Sequence, residues 1–295
     1  RHRLPSFSST AFTDAAIRFI EDQGKHPSGA PFLACVSFTA PHDPRTPPEE
    51  YRSMYPPKKM PIPPNFLPEH PFDNGEMKIR DEKLAPWPRT PEVVKDHLGA
   101  YYAMISQLDT QVGRLLDALQ KNGLSDNTIV IFTSDHGLAV GSHGLLGKQN
   151  LYEHSTRVPM VIRGVGITPG SSCTALVYLH DLVPTICDWA GIAAPAASEG
   201  ASLIPALSGN IENWRTGIYS AYKSVQRALR VGRWKLIRYP AIDRTQLFDL
   251  VSDPHEMKDL SDDPEKAQIL EKMLHRLKEL RIQASDPLVK SPDSR

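Results

Sequence analysis

Cysteine is almost absent from this chain, with three in 295 residues. Cys35, Cys173 and Cys187 show no paired metal spacing, and an odd count gives no disulfide framework, so the sequence predicts buried thiols. Charge of either sign in excess is absent too: 34 basic and 34 acidic residues cancel. That removes the bulk field that draws a protein to nucleic acid or to an anionic membrane. Apolar runs of the roughly 20 residues needed to cross a bilayer do not occur. There is no internal repeat and no visible signal peptide, and the chain opens as though already inside a domain. Its length suits one large domain, or one and a half smaller ones.

What is present is concentrated between Asn127 and Lys148. Asp126-Asn127 is a turn signal, and Thr128 to Phe132 is a short, uncharged, β-branched run that reads as a strand buried on both faces. Asp135, His136 and Gly137 follow at once. In open α/β sheets, ligands sit beyond the carboxyl ends of strands. The next loop carries Gly141, His143, Gly144, Gly147 and Lys148. Glycines let backbone close around something small, and a lysine among them suits an anion. Ser134 to Gly137 alone read equally well as a turn with a capping Asp and a solvated His. With the loop, they suggest a cation site beside an oxyanion site.

A second apolar run, Phe32 to Phe38, also reads as a buried strand and ends in Pro41-His42-Asp43-Pro44. If both strands lie parallel in one sheet, His42 and the Asp135-His136 pair converge on one edge. Read alone, His42 is a loop histidine between two prolines. From Pro41 to Pro91 the chain holds about half of its 27 prolines, which excludes continuous helix or central strand. This loop leaves from His42 and is read as a pocket wall, with Tyr51, Tyr55, Lys58, Lys59, Trp87 and Arg89 available to a ligand or to packing.

Elsewhere the pattern is plainer. Thr13-Asp14 is expected to cap a short helix bearing Ile17 and Ile20, with a turn cluster at Gly24 to Ala30. Glu92 to Lys121 repeats apolar residues at threes and fours and ends at Asn122-Gly123. Val158 to Arg163 and Val177 to Leu179 read as strands, and Leu182 to Ala190 as a helix closed by Gly191. Gly191 to Gly209 looks like a junction, so residues 1–209 and 210–295 are expected as two domains. In the second, four short strands (Gly217 to Tyr222, Gln226 to Val231, Trp234 to Tyr239, Gln246 to Leu250) precede a helix started by Asp263-Pro264. Gly232-Arg233 is a hairpin signal.

Asp135-His136-Gly137, Gly141-x-His143-Gly144 and Gly147-Lys148, then Tyr152-Glu153 and Arg157-Val158-Pro159, together resemble the sulfatase family. That family belongs to the alkaline-phosphatase-like hydrolases. His42-Asp43-Pro44, Gln226-Arg227-Ala228 and Leu247 to Leu250 with Asp253-Pro254 extend the likeness over nearly the whole chain, in the style of iduronate-sulfatase- and choline-sulfatase-like members. The resemblance implies an α/β fold, a mostly parallel sheet flanked by helices, plus a small antiparallel sheet with one covering helix. It implies hydrolysis of a sulfate ester, either a sulfated carbohydrate or a smaller ester. By the same resemblance, Asp135 and His136 are metal ligands for one Ca2+, Lys148 holds the sulfate, and His42 protonates the leaving alcohol. His143 lies near the substrate. A periplasmic, secreted or lysosomal location is what the family suggests; no nucleic acid and no membrane span is expected.

The family's nucleophile, a formylglycine made within Cys-x-Pro-x-Arg or Ser-x-Pro-x-Arg, has no counterpart here. Cys35, Cys173 and Cys187 are each followed by other residues, and the early paired aspartates and Gly-Lys-x-His are also missing. The chain is therefore expected to be the later part of a sulfatase, with the nucleophile and remaining metal ligands upstream, and to be inactive alone. Two other readings stay open: a phosphodiesterase or phosphonate hydrolase of the same superfamily, and a non-catalytic carbohydrate-binding remnant.

Overall fold

The computed structural model describes residues 7–25 and 30–289; most of the expected Gly24 to Ala30 turn cluster and of the basic start of the chain lies outside them. The chain divides into two units, one of residues 1–62, 88–132 and 161–167, the other of residues 63–87, 133–160 and 168–295.

In the first unit, helix α1 (Ser8–Lys25) begins before the expected Thr13-Asp14 cap. Thr13 is buried instead, and Asp14 takes an ion pair from Arg114, 2.6 Å away. A one-turn helix α2 (Glu49–Arg52) follows in the proline-rich segment. The long helix α3 (Pro91–Lys121) is read almost to the residue. The Thr90 hydroxyl accepts from Val93 N at its start, and Asn122 caps its end before Gly123 turns left-handed. Ile20, Ala118 and Leu119 form the core of this unit, with Ile17, Leu115, Leu124 and Val130 packed against it. The buried face of α3 also includes Gln107 and Gln111, whereas Ile105 lies outside.

Strands β1 (Val130–Thr133) and β2 (Met160–Arg163) pair in a two-stranded sheet. Neither is buried on both faces: Phe132 is 40% and Val161 60% exposed. Residues 31–38 run extended but pair with no strand among the described residues, and Leu33 is 73% exposed. The expectation of a buried strand from Phe32 to Phe38 is corrected accordingly. A strand needs ladder partners as well as apolar content, and those partners are not among the described residues. The buried-thiol reading also fails, since Cys35 and Cys173 are exposed and Cys187 is half-buried.

In the second unit, Glu153–Thr156 form the short helix α4. Val177 to Leu179 is not a strand. Tyr178 caps a 3-10 turn, and its N–H donates to Asp181 Oδ2 at 2.7 Å. Helix α5 (Leu182–Ala190) ends at Gly191, which is left-handed with φ 67°. The Ala, Pro and Ser-rich stretch after it contains helix α6 (Ile204–Leu207), tied back by Leu203 N to the Thr185 hydroxyl at 2.8 Å.

Four strands then form an antiparallel meander: β3 (Gly217–Tyr222), β4 (Gln226–Val231), β5 (Trp234–Tyr239) and β6 (Arg244–Asp249). Leu229 pairs with Leu236 and Leu236 with Leu247. This row faces helix α7 (Ala267–Gln283), where Met273 and Leu277 complete one core. Ala228, Ile237, Tyr239 and Phe248 alternate to the opposite face, as the two-residue period requires. There they meet Ala139, Leu145, Leu151 and Tyr152, which belong to the glycine-rich loop and its continuation. The sheet therefore has one face on α7 and the other under the expected site.

Candidate active site

At the end of β1 the backbone turns sharply. His136 N donates to Asp135 Oδ1 at 2.9 Å, and the Ser134 hydroxyl donates to His136 O at 2.9 Å. Gly137 N donates to Ser155 O at 2.9 Å; a Cβ on Gly137 would lie 2.0 Å from His154 O, so only glycine fits. His136 Nδ1 lies 3.0 Å from Gly137 O. A carbonyl accepts only, so Nδ1 carries a proton, and in the neutral tautomer the lone pair is on Nε2. That nitrogen is 3.4 Å from Asp135 Oδ2, and Asp135 is 79% exposed. One carboxylate and one imidazole lone pair thus come together, which suits two ligands of a metal ion. Among the described residues no group of three or more His, Cys, Asp or Glu could hold a metal. The donor set fits a metal in kind and is incomplete in number.

Loop residues 138–148 fold back on themselves. Ala139 N donates to Gly147 O at 3.0 Å and Gly141 N to Leu145 O at 2.7 Å. Leu145 and Leu146 are buried. Two acids that sequence reasoning missed, Asp81 and Glu82, grip the end of this loop. The buried Glu82 carboxylate accepts from Leu146 N at 3.0 Å and Gly147 N at 2.9 Å. Asp81 lies 3.0 Å from Lys148 Nζ and accepts from Gln149 Nε2 at 2.8 Å. Burial pushes the Asp81 carboxyl up, but the bonds from Gln149, Lys148 and Arg80 outweigh it and hold the group at about 2. It is an anion throughout the neutral range. The only local signal was an acid pair inside a proline-rich loop, and many solvated turns share that.

His143 sits in the core beneath the loop. Its ring stacks on Tyr152 with centroids 4.0 Å apart, and Nε2 accepts from Asn65 Nδ2 at 3.1 Å. Its carbonyl receives the Nδ1 proton of His70 at 2.9 Å. Burial, then the nearby His70 and Lys235, lowers His143 to about 3, and burial lowers His70 to about 4. His154 is half-buried, with both ring nitrogens shielded and neither hydrogen-bonded, and its pKa is pushed well below the usual value by burial and by His143 and Lys235. These three neutral rings and Tyr152 floor the loop.

Beyond the loop, Leu151 N donates to the Gln226 side chain at 3.1 Å, and the Tyr152 hydroxyl to Gln246 Oε1 at 2.8 Å. Glu153 bridges Arg230 and Lys235 at 2.8 and 2.9 Å. Gln226 and Arg227, singled out in the sequence, thus have structural work: Gln226 holds the loop's continuation, and Arg227 forms a buried bidentate pair with Asp286 at 2.8 Å.

His42 belongs to the first unit, whereas Asp135, His136, His143 and Lys148 belong to the second. His42 Nδ1 is 2.8 Å from Asp43 O, so it too donates from Nδ1. The Asp43 carboxylate, 5% exposed, lies 3.4 Å from the same nitrogen. The loop that leaves His42 is fastened to α3, where Arg45 Nη1 meets His97 Nδ1 at 2.9 Å.

The sulfatase family model matches residues 4–192, and the model described as N-sulphoglucosamine sulphohydrolase, C-terminal, matches residues 141–283. The chain belongs to the sulfatase family. It is 36% identical over 251 residues to a choline-sulfatase of Rhizobium meliloti, covering 80% of this chain and 48% of that protein. A solved structure of a protein in complex with its substrate D-glucosamine-2-N,6-O-disulfate superposes with a TM-score of 0.81 at 26% identity, covering 98% of this chain and 72% of that one. The phosphonate monoester hydrolase of Agrobacterium radiobacter gives a TM-score of 0.79 at 29% identity, covering 95% and 62%. The chain spans about half the length of the choline-sulfatase it matches. Sulfatases generally use a metal ion and a formylglycine. The fold is the alkaline-phosphatase-like α/β architecture, with a small antiparallel sheet and its helix. Among the described residues no helix is long and apolar enough to cross a membrane.

Proposed function

We propose that this chain is the later part of an enzyme that hydrolyses a sulfate ester, of a sulfated carbohydrate or a smaller alcohol. The observation that carries the reading is the loop from Asp135 to Lys148. It presents a carboxylate and an imidazole lone pair at one end and a lysine fixed by Asp81 at the other. Lys148 holds a sulfate oxygen as a point charge. Asp135 and His136 would supply two ligands to a calcium ion, which would neutralise charge on the sulfate; its further ligands, and a formylglycine, would be supplied by other parts of the enzyme. The oxygen ligand Asp135 suits calcium better than His136 does.

His42 serves the leaving alkoxide. With Nδ1 committed to Asp43 O, the nitrogen that delivers the proton to the leaving oxygen is Nε2, and Asp43 orients the ring. His143, stacked under the loop, contributes to the site by holding the backbone that carries Lys148.

The test is turnover of a chromogenic aryl sulfate by the full-length protein, expected to fall at least tenfold (roughly the loss of one charge-assisted contact) in Lys148→Ala. Unchanged turnover in that variant would sink the reading. The likeness to a phosphonate monoester hydrolase favours a second activity, on phosphonate monoesters; preference for those over sulfate esters would reverse the order of the two.

A further inference from the structure

We propose that Asp81 sets the net charge which the Lys148 subsite offers its substrate, and so selects a singly charged ester over a doubly charged one. The inference rests on the reading that Lys148 touches the substrate's oxyanion, and it assigns a specificity role to a residue outside that contact.

Asp81 is placed for this by several independent constraints. Its side chain is 6% exposed and that of Lys148 is 18% exposed, so water screens the 3.0 Å pair only partly. Oδ2 also takes the Gln149 amide, while Oδ1 faces Arg80 at 2.9 Å. Arg80 is 62% exposed, so water screens its charge more than it screens the Lys148–Asp81 pair. Glu82, the next residue, fixes Leu146 N and Gly147 N, so the backbone entering Lys148 cannot drift from the carboxylate. Gly147 makes the approach possible: a Cβ there would stand 2.9 Å from Asp81 Cβ and 3.1 Å from Glu82 Oε1.

The consequence is electrostatic. An ammonium has three N–H donors, and Asp81 occupies one while cancelling most of the positive charge felt a few ångströms away. A sulfate ester and a phosphonate monoester each carry one negative charge. A phosphate monoester carries close to two above its second ionisation near pH 6. A lysine with a buried carboxylate at its back suffices for the first two, and a dianion meets the added repulsion of Asp81. Merely orienting Lys148 would affect all three substrates alike; charge cancellation separates them.

The experiment compares kcat/KM of the full-length enzyme for p-nitrophenyl sulfate and p-nitrophenyl phosphate at about pH 8, where the phosphate is dianionic. Asp81→Asn keeps the shape and an acceptor for Gln149 but removes the charge. It is expected to raise the phosphate-to-sulfate ratio about tenfold, while Asp81→Glu leaves the ratio within about twofold. A ratio unchanged in Asp81→Asn, with Lys148→Ala still deficient on the sulfate, overturns this inference and leaves the sulfatase reading intact. Lys148→Ala without effect on the sulfate overturns both. Inhibition of the unaltered enzyme by phenylphosphonate and by its monomethyl ester is read alongside, so that a variant that fails to fold does not decide the matter. Binding of the dianion about tenfold tighter than the monoester would refute the proposal.

Discussion

The three histidines under the loop make the fold sensitive to acid, and the size of the effect follows from their surroundings. His70 and His143 have folded-state values of about 4 and about 3, against 6.5 for an unhindered imidazole. The unfolded chain therefore binds protons more readily than the folded one, and stability falls as pH drops below 6.5. Above 6.5 the full contribution is present; it is lost progressively as pH falls towards the folded values. Between pH 7 and pH 5 each group gives up roughly 2 kcal/mol. The two together give up about 4 kcal/mol, a large part of the 5–15 kcal/mol that holds a typical domain. His154, with no hydrogen bond to either ring nitrogen, adds to the loss in the same direction. Charge near the cluster does not offset this: Lys235 faces His143 and His154 and Arg244 faces His70, while Asp73 and Asp253 act the other way on His70 and His143.

The assay is urea unfolding of the full-length protein at pH 7 and pH 5, with the native baseline checked at both. His70→Asn is the informative variant. Its amide keeps a donor for His143 O but cannot take a proton, so the acid-induced loss should shrink by roughly 2 kcal/mol. Equal losses in wild type and His70→Asn, or no loss at all in wild type, would refute the argument.

Other expectations concern the site and the sheet beneath it. Asp135→Asn removes a charged oxygen ligand and should weaken calcium binding and turnover together, read by calorimetric titration; unchanged affinity removes Asp135 from the metal. His42→Ala should slow alkyl sulfates far more than nitrophenyl sulfate, whose leaving group departs without a proton, and equal losses would take the acid role from His42. Arg227→Ala leaves the buried Asp286 carboxylate with Arg281 as its cation, beside the Tyr219 hydroxyl and Leu288 N, and should cost about 3–5 kcal/mol in urea unfolding; a cost under about 1 kcal/mol would show the pair to be solvated. Residues 1–295 alone should give no turnover of a chromogenic sulfate above a Lys148→Ala control, since they contain no nucleophile motif.

Much of this arrangement is written in local pattern. Thr90, Pro91 and Asn122-Gly123 delimit α3 through capping chemistry that acts within four residues. Gly232-Arg233 sets the β4–β5 hairpin, and the alternation of Leu229 against Ala228 decides which face meets α7. The extended segment 31–38 misled because apolar content cannot report whether a ladder partner is present. Tyr178 misled because a three-residue apolar run is too short for its period to speak, and a side chain at Asp181 decided the turn. Asp81 and Glu82 were invisible for a different reason. Their partners lie 64 to 68 residues away, and nothing in the spacing of an irregular loop encodes such a pairing. His143, which the resemblance puts near the substrate, has a left-handed backbone, φ 54°, and stacks on Tyr152, a contact that loop spacing does not encode.

The antiparallel sheet bears on how such enzymes can be recombined. Gln226 on β4 receives Leu151 N, Gln246 on β6 receives the Tyr152 hydroxyl, and Lys235 on β5 reaches Glu153. A chimaera joined near residue 209 would give the Lys148 loop a foreign floor, with a backbone donor and a buried phenol stranded unless the incoming sheet carried glutamines at the same register. The exchangeable module is thus discontinuous: the sheet, residues 63–87 and residues 133–160 would have to travel as one inheritance.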